Sequence, residues 1–234
     1  LIGLVGSEMC IRDRANAGGS FESAMDATMA LLGFAGELIE RKKVEPGEDL
    51  VTDLVEVGED VVSAGWIVGF VFTMVTGGND TMTGMLGGSV ELLTDHRDQR
   101  RLLLDHPELL TVAVEELLRL TSPVQNLART TTRDVEIRDV TIPAGEKVLL
   151  LYGSANRDER AFGDDADELD VRRDIDKMLS LGYGAHHCLG ASAARLQARV
   201  ALGRLLERFP DFEVDAAAGR FAPGGFVRRY ESLP

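Results

Sequence analysis

The sequence predicts a mainly α-helical fold with small antiparallel β-sheets. Three segments carry helical patterns: 21–43, where apolar residues recur every three or four positions; 58–94, which contains no proline; and 189–209, which is rich in Ala, Leu and Arg. Strand-like runs are short and are confined to the part of the chain after residue 126. Long helices with a few short strands therefore define the expected architecture.

Local signals set the order of the elements. The sequence Glu45-Pro46-Gly47-Glu48 ends the first helix, and Pro107 suits the first turn of a helix that Thr121-Ser122-Pro123 ends. The polar stretch 154–180 is long for a coil in a compact domain and predicts a functional loop. Further short helices are expected at 49–57 and 95–106, and strands at 127–133, 135–137, 147–152, 212–214 and 226–228, with the turn Pro143-Ala144-Gly145 before the third strand.

Composition excludes some classes of function. A formal net charge of −14 argues against binding to nucleic acid or to an anionic membrane surface. The uncharged stretch 61–79 is long enough to span a bilayer, but Glu59, Asp60 and Asp80 flank it where Lys or Arg would be expected. The central helix of a large core is the favoured interpretation. Two cysteines and no secretory signal predict a reducing, cytoplasmic location.

The first residues need separate treatment. The segment 1–14, LIGLVGSEMCIRDR, resembles translated sequencing-adapter read-through, so it and Cys10 are excluded from the interpretation of the fold. The alternative is a genuine strand or loop.

The strongest chemical signal is the loop 181–190, LGYGAHHCLG. Gly182 and Gly184 predict a tight turn, and Cys188 lies where a long helix begins, a place that favours a thiolate. Glycines here would also let backbone amides approach the sulfur. Two alternatives are a small buried cysteine and a zinc site with the neighbouring histidines, although no second ligand pair occurs nearby.

Two weaker patterns precede this loop. Glu116 and Arg119 are three residues apart and share a helix face, which is typical of a solvent-exposed ion pair. The sequence Gly77-Gly78-Asn79-Asp80-Thr81 interrupts an apolar helix. It indicates either a locally polar turn or helix end, or a distorted, opened helix.

Together, these patterns resemble the FGxGxHxCxG, ExxR and (A/G)Gx(D/E)T motifs of cytochromes P450, with Leu181 in place of the leading Phe. The resemblance implies a partial cytochrome P450 fold over 15–234, the C-terminal portion, with the family's N-terminal part missing. It implies haem b with the Cys188 thiolate as axial ligand. The other residues that it places at the cofactor are Arg129, His186, Gly182, Gly184 and Gly190.

The same resemblance assigns further roles. Glu116, Arg119 and Arg173 would form a structural triad, while Thr81 would stabilise the oxygen intermediate by hydrogen bonding and Asp80 would belong to the proton relay. The stretches 154–158, SANRD, and 226–230, FVRRY, resemble other family segments. Residues expected at the substrate pocket are Met74, Val75, Val124, Gln125 and Phe226.

The implied activity is that of a haem-thiolate monooxygenase. It would insert one oxygen atom from dioxygen into a hydrophobic small molecule, with electrons from a ferredoxin or flavodoxin-like donor. Resemblance to actinobacterial members favours steroid or lipid substrates. Alternatives are a peroxide-dependent haem-thiolate enzyme, which the Asp80-Thr81 pair disfavours, a non-catalytic haem-binding fragment, and a small membrane protein.

Overall fold

The computed structural model describes residues 21–234, with side chains from residue 25 onward. The segment 1–14 and Cys10 lie outside these residues. The chain divides into two compact units, one ending at Asn79 and the other running from Asp80 to Pro234. Most of the regular structure is helical and every sheet is small and antiparallel, so the predicted fold class is confirmed.

The first unit contains helices α1 (Phe21–Val44) and α2 (Leu50–Glu56) and the first half of α3 (Ala64–Asp95). Asp49 caps α2 by accepting hydrogen bonds from the amides of residues 51 and 52. Apolar residues at helical spacing form the hydrophobic core of this unit. Its buried members are Ala35, Ile39, Ile67 and Val71.

Helix α3 begins later than the sequence predicts. Residues 58–63 form turns in which Gly58 has a positive φ of 91° and accepts a hydrogen bond from the amide of Val61. The Ser63 hydroxyl accepts a hydrogen bond from the amide of Trp66, as an N-cap does. The left-handed Gly58 and the capping hydroxyl of Ser63 therefore set a later start for the helix, although residues 58–63 contain no proline. Across residues 21–234, every helix is either too short or too polar to cross a bilayer.

The second unit contains α4 (Arg97–Asp105), a 3-10 turn (Pro107–Leu109), α5 (Leu110–Thr121) and α8 (Ala191–Arg208). Ser122 ends α5 in the left-handed conformation, with φ 36°. The core of this unit joins Met85 of α3, Leu117 of α5 and Leu202 of α8, all fully buried. The segment predicted as irregular also contains two single-turn helices, α6 (Tyr152–Ala155) and α7 (Glu159–Phe162).

Three two-stranded sheets complete the second unit. Strand β1 (Asn126–Thr130) pairs with β4 (Lys147–Leu151), and β2 (Val135–Ile137) pairs with β3 (Val140–Ile142), a strand that the sequence analysis missed. The terminal pair is β5 (Arg220–Phe221) with β6 (Tyr230–Ser232).

The two terminal strands were predicted at the wrong places. Residues 212–214 form no strand, and in 226–228 only Val227 forms an isolated bridge, with Val124. The observed pair contains the ring of Phe221 stacked on that of Tyr230, with centroids 4.2 Å apart. Strands this short have no periodic signal, because tertiary packing rather than local pattern selects them.

Candidate functional site

The loop before α8 is shaped by two glycines. Gly182 and Gly184 have positive φ angles of 70° and 62°, and a Cβ on Gly182 would lie 2.6 Å from the carbonyl oxygen of His186. The Cys188 amide donates to the carbonyl of Leu181 at 2.7 Å, which closes the loop. Only a residue without a side chain fits the first of these positions.

Cys188 lies at the N-terminal end of α8. Its carbonyl accepts a hydrogen bond from the amide of Ala191, the first residue of α8, and Gly190 is the N-cap. The thiol is free and exposed, so the alternative of a small buried cysteine is wrong. An exposed sulfur at the positive end of a helix is suited to act as a thiolate ligand.

The expected amide hydrogen bonds to the sulfur are not present. Within residues 21–234, no backbone amide donates to Sγ of Cys188, and the amide of Cys188 itself is engaged by Leu181. A Cβ on Gly190 would lie 3.9 Å from Sγ, so this glycine leaves the sulfur uncovered. In the described part of the chain, the cysteine loop included, no group of three or more His, Cys, Asp or Glu side chains could hold a metal ion.

One turn into α8, Arg195 forms an ion pair. Arg195 donates to both carboxylate oxygens of Glu115, at 2.6 and 2.8 Å. The hydrogen bond with Glu115 raises the pKa of Arg195, burial opposes this, and the charge of Cys188 is a smaller raising contribution.

Two other residues are expected at the cofactor, His186 in the cysteine loop and Arg129 in β1. His186 is exposed at the end of the 3-10 turn Gly184–His186. Arg129 is half-buried in β1, where it donates to the neighbouring carbonyl of Ala128 at 2.9 Å. No carboxylate in residues 21–234 pairs with it, so its charge is available to another anion.

Glu116, Arg119 and Arg173 lie together in the second unit. Arg119 donates from Nε and Nη2 to the two oxygens of Glu116 at 2.6 and 2.8 Å, and both side chains are fully buried. Arg173 Nε donates to Glu116 Oε1 at 3.1 Å. The alternative of a solvent-exposed pair is therefore wrong. A hydrogen bond with Asp165 raises the pKa of Arg173, burial opposes it, and Glu116 raises it further.

Asn156 extends this network toward the cysteine loop. Its Nδ2 donates to the hydroxyls of Ser122 and Ser180 at 2.7 and 2.8 Å, and its Oδ1 accepts from the amide of Leu179 at 2.8 Å. The carbonyl of Asn156 accepts from Arg119. Sequence analysis named this residue only within the stretch SANRD, and that stretch was the available signal.

Asp80 and Thr81 lie within α3. All residues from Ala64 to Asp95 are α-helical, so the predicted turn or helix end is wrong. Glycine adopts the helical conformation at a modest entropic cost. Asp80 forms an ion pair with Arg229, with 3.0 Å between Oδ1 and Nε. Sequence analysis did not single out Arg229.

The expected substrate residues divide between the two units. In the second unit, the Gln125 amide donates to the carbonyl of Phe226 at 2.7 Å, and Val124 bridges to Val227 next to it. The Phe226 ring is exposed. Met74 and Val75 are half-buried in the part of α3 that belongs to the first unit.

Known proteins match this chain in both sequence and structure. A family model described as Cytochrome P450 matches residues 89–218, which include the buried triad and the cysteine loop. The chain belongs to the cytochrome P450 family. A relative named Cytochrome P450 130, from Mycobacterium tuberculosis, is 59% identical over 220 residues, covering 92% of this chain and 54% of the relative. A relative named Steroid C26-monooxygenase, from Mycolicibacterium smegmatis, is 38% identical over 218 residues, with coverage of 92% and 54%.

Solved P450 structures share the fold. The LnmA cytochrome P450 hydroxylase of the leinamycin biosynthetic pathway of Streptomyces atroolivaceus aligns with a TM-score of 0.90 and 36% identity, over 100% of this chain and 62% of that one. The tirandamycin C-bound P450 monooxygenase TamI aligns with a TM-score of 0.89 and 36% identity, over 99% and 59%. The chain spans about half the length of the curated P450 relatives that it matches.

P450 proteins bind haem through a cysteine thiolate. This chain fits that cofactor, because it offers an exposed free thiol to the iron and, at Arg129, a guanidinium without a carboxylate partner in the described residues. A guanidinium suits the carboxylate side chains of the porphyrin.

Proposed function

We propose that this P450 is a haem-thiolate monooxygenase in which Cys188 is the axial ligand of the haem iron. The observation that carries the proposal is the free, exposed thiol of Cys188 at the N-terminal end of α8, in a loop that two left-handed glycines shape. When bound, haem supplies the oxygen chemistry, and the protein orients and tunes it.

Around the cofactor, Arg129 and His186 would bind the propionates, and Gly182, Gly184 and Gly190 would leave room for the sulfur to reach the iron. Arg129 is suited to this role because no carboxylate in residues 21–234 neutralises it. His186 is exposed within two residues of the sulfur. The family resemblance supports these assignments.

Away from the cofactor, Glu116, Arg119 and Arg173 would hold the coil that leads to the cysteine loop. Thr81 would hydrogen-bond the reacting oxygen, and Asp80 would move a proton toward it. An acid followed by a hydroxyl residue on one helix provides both functions at one place. This pair also favours activation of dioxygen over a peroxide-dependent reaction.

We also infer a hydrophobic substrate, bound near Met74, Val75, Val124, Gln125 and Phe226. The name of the Steroid C26-monooxygenase relative supports a steroid or another lipid as the substrate class. The electron donor would be a ferredoxin or flavodoxin-like protein, and the location would be the cytoplasm. Likeness to bacterial P450 enzymes supports both inferences.

The test is the spectrum of the full-length, haem-loaded protein reduced under carbon monoxide. Thiolate ligation places the Soret band near the wavelength that names the family, and Cys188→Ala is expected to abolish that band. His187→Ala is the matched control, since it alters the adjacent exposed side chain and keeps the sulfur. A Soret band that Cys188→Ala leaves unchanged contradicts the proposal.

A further inference from the structure

One face of α3 lies against the C-terminal segment 228–230. Asp80, Gly84, Gly87 and Glu91 are spaced by four, three and four residues, so they follow one another along a single helix face. A Cβ on Gly84 would overlap the carbonyl oxygen of Arg228, and one on Gly87 would lie 3.4 Å from the ring of Tyr230. The two glycines allow the backbone of the segment to approach the helix closely.

Charged and polar side chains secure the two ends of this contact. Arg228 lies 3.9 Å from Glu91 in an ion pair, and the same carboxylate contributes to the raised pKa of Tyr230. Arg229, between them, reaches the other end of the face and pairs with Asp80 at 3.0 Å. Of the three residues of this segment, Arg229 is the one that pairs with Asp80.

The backbone of Arg229 is fixed on both sides. The Arg228 amide donates to the carbonyl of Pro123 at 2.8 Å, and the carbonyl of Arg229 accepts from the amide of Ala222 at 2.9 Å. Tyr230 is buried in β6. Arg229 therefore starts from a rigid anchor, and its position depends little on its own side-chain contacts.

The Asp80–Arg229 pair is largely shielded from solvent, with side-chain exposures of 18% for Asp80 and 12% for Arg229. Water screens such a pair less than an exposed one, so each charge strongly affects the position of the other. Removal of one charge would leave the other poorly solvated. The pair is thus a largely buried ion pair and differs from the exposed ion pairs at the surface of this chain.

Asp80 and Thr81 are consecutive in a helix, so their side chains point about 100° apart. The ion pair places Oδ1 of Asp80 3.0 Å from Nε of Arg229, so this carboxylate oxygen faces the C-terminal segment. We propose that Arg229 is a positioning residue, which holds the Asp80 carboxylate in the orientation from which it enters the proton relay. This inference rests on the proposed monooxygenase function and names a residue that the family motifs do not include.

The proposed role of Arg229 can be tested in the absence of an organic substrate. With electrons from NADPH through a ferredoxin and its reductase, dioxygen can take two electrons and two protons to give hydrogen peroxide. It can also take four of each to give two molecules of water. Slower proton delivery favours the first outcome, because peroxide then has time to leave. Arg229 is therefore expected to lower the fraction of dioxygen that is released as peroxide.

The experiment compares Arg229→Gln and Arg229→Lys with the wild-type full-length, haem-loaded protein. We expect Arg229→Gln to raise the peroxide formed per dioxygen consumed and to enlarge the solvent deuterium isotope effect on dioxygen consumption. Arg229→Lys restores the charge and is expected to recover part of both. The control is Arg220→Gln, which removes an equal charge from the same terminal sheet, where Arg220 pairs with Glu231 in an exposed contact.

A second readout does not depend on activity. In a double-mutant cycle, Arg229→Gln should lower the thermal midpoint of the wild-type protein but not that of Asp80→Asn. Additive midpoints overturn the proposal. So does a coupled loss of stability with an unchanged peroxide yield and isotope effect, because the residue is then only structural. These outcomes differ from failure of the proposed function, which would remove the thiolate spectrum of the wild-type protein itself.

Discussion

Glu116 and Arg119, one turn apart on α5, form a two-pronged ion pair in which neither side chain is exposed to solvent. The remaining donors of Arg119 are used as well, since Nη1 donates to the carbonyls of Asn156 and Ala166 at 2.7 and 2.6 Å. A buried pair is tolerated only when its other hydrogen-bonding groups are satisfied. Here the backbone that satisfies them belongs to the coil that leads to the cysteine loop.

Glu116→Gln should strongly destabilise the protein. It leaves Arg119 without a counter-charge in a fully buried site and removes one of the two carboxylate partners of Arg173. Breaking such a pair costs about 3–5 kcal/mol. Chemical unfolding of the full-length protein would measure the loss. The matched control is Glu207→Gln, because Glu207 and Arg204 have the same helical spacing but are exposed. That change should cost less than about 1 kcal/mol. Equal losses in the two variants would contradict the prediction.

Asn156→Ala should loosen the segment that precedes the cysteine loop. The change removes two hydrogen bonds to Ser122 and Ser180 and leaves the amide of Leu179 without its acceptor. Losses of this kind cost about 1–3 kcal/mol. We expect a lower unfolding free energy and faster loss of haem to an acceptor protein. Asn126→Ala, which removes one exposed hydrogen bond to a backbone carbonyl, is the control and should change neither quantity appreciably.

Gly84→Ala should separate α3 from the C-terminal segment. Its Cβ would overlap the carbonyl oxygen of Arg228, a backbone atom that Pro123 helps to fix through the Arg228 amide. Overpacking of this kind costs about 1–3 kcal/mol. In the same helix, Gly69 is exposed and a Cβ there meets nothing within 4 Å, so Gly69→Ala should stabilise by about 0.5–1 kcal/mol. Thermal unfolding that shows the same sign for both variants would refute the contrast.

The Tyr230 phenol should make stability depend on alkaline pH. Burial, and then the hydrogen bond with Glu91, raise its pKa to about 12 from a usual value near 10. Between these values the unfolded chain has lost a proton that the folded protein keeps. This contribution to stability is therefore complete below pH of about 10 and is lost as the pH rises toward about 12.

Tyr230→Phe removes the titrating group, so the variant should be less stable near neutral pH but should lose less stability in the alkaline window. Urea unfolding at a series of pH values would measure both effects. Tyr183→Phe is the control, since that ring is exposed. An identical alkaline decline in Tyr230→Phe and wild type would show that the Tyr230 phenol is not responsible.

The sequence by itself determined the long helices, the glycine-shaped loop at Cys188 and the spacing of Glu116 and Arg119, because each depends on neighbours within a few residues. It also identified the family, since these patterns occur in one order. The start of α3 was the exception among the helices. There, Gly58 and the Ser63 hydroxyl, two local signals weaker than the apolar pattern around them, set the boundary.

Tertiary structure alone decided which distant groups meet. Arg172 and Arg173 are adjacent in sequence, yet only Arg173 reaches Glu116, while Arg172 pairs with Asp170 at the surface. Asp80 takes Arg229 as its partner, and Tyr230 rather than Val227 enters the terminal sheet. Such choices follow from where the chain returns to a helix face and how closely it can approach. Glycines at the contact and the burial of the charges determine how closely the chain approaches the helix. Neither produces a periodic pattern in the local sequence.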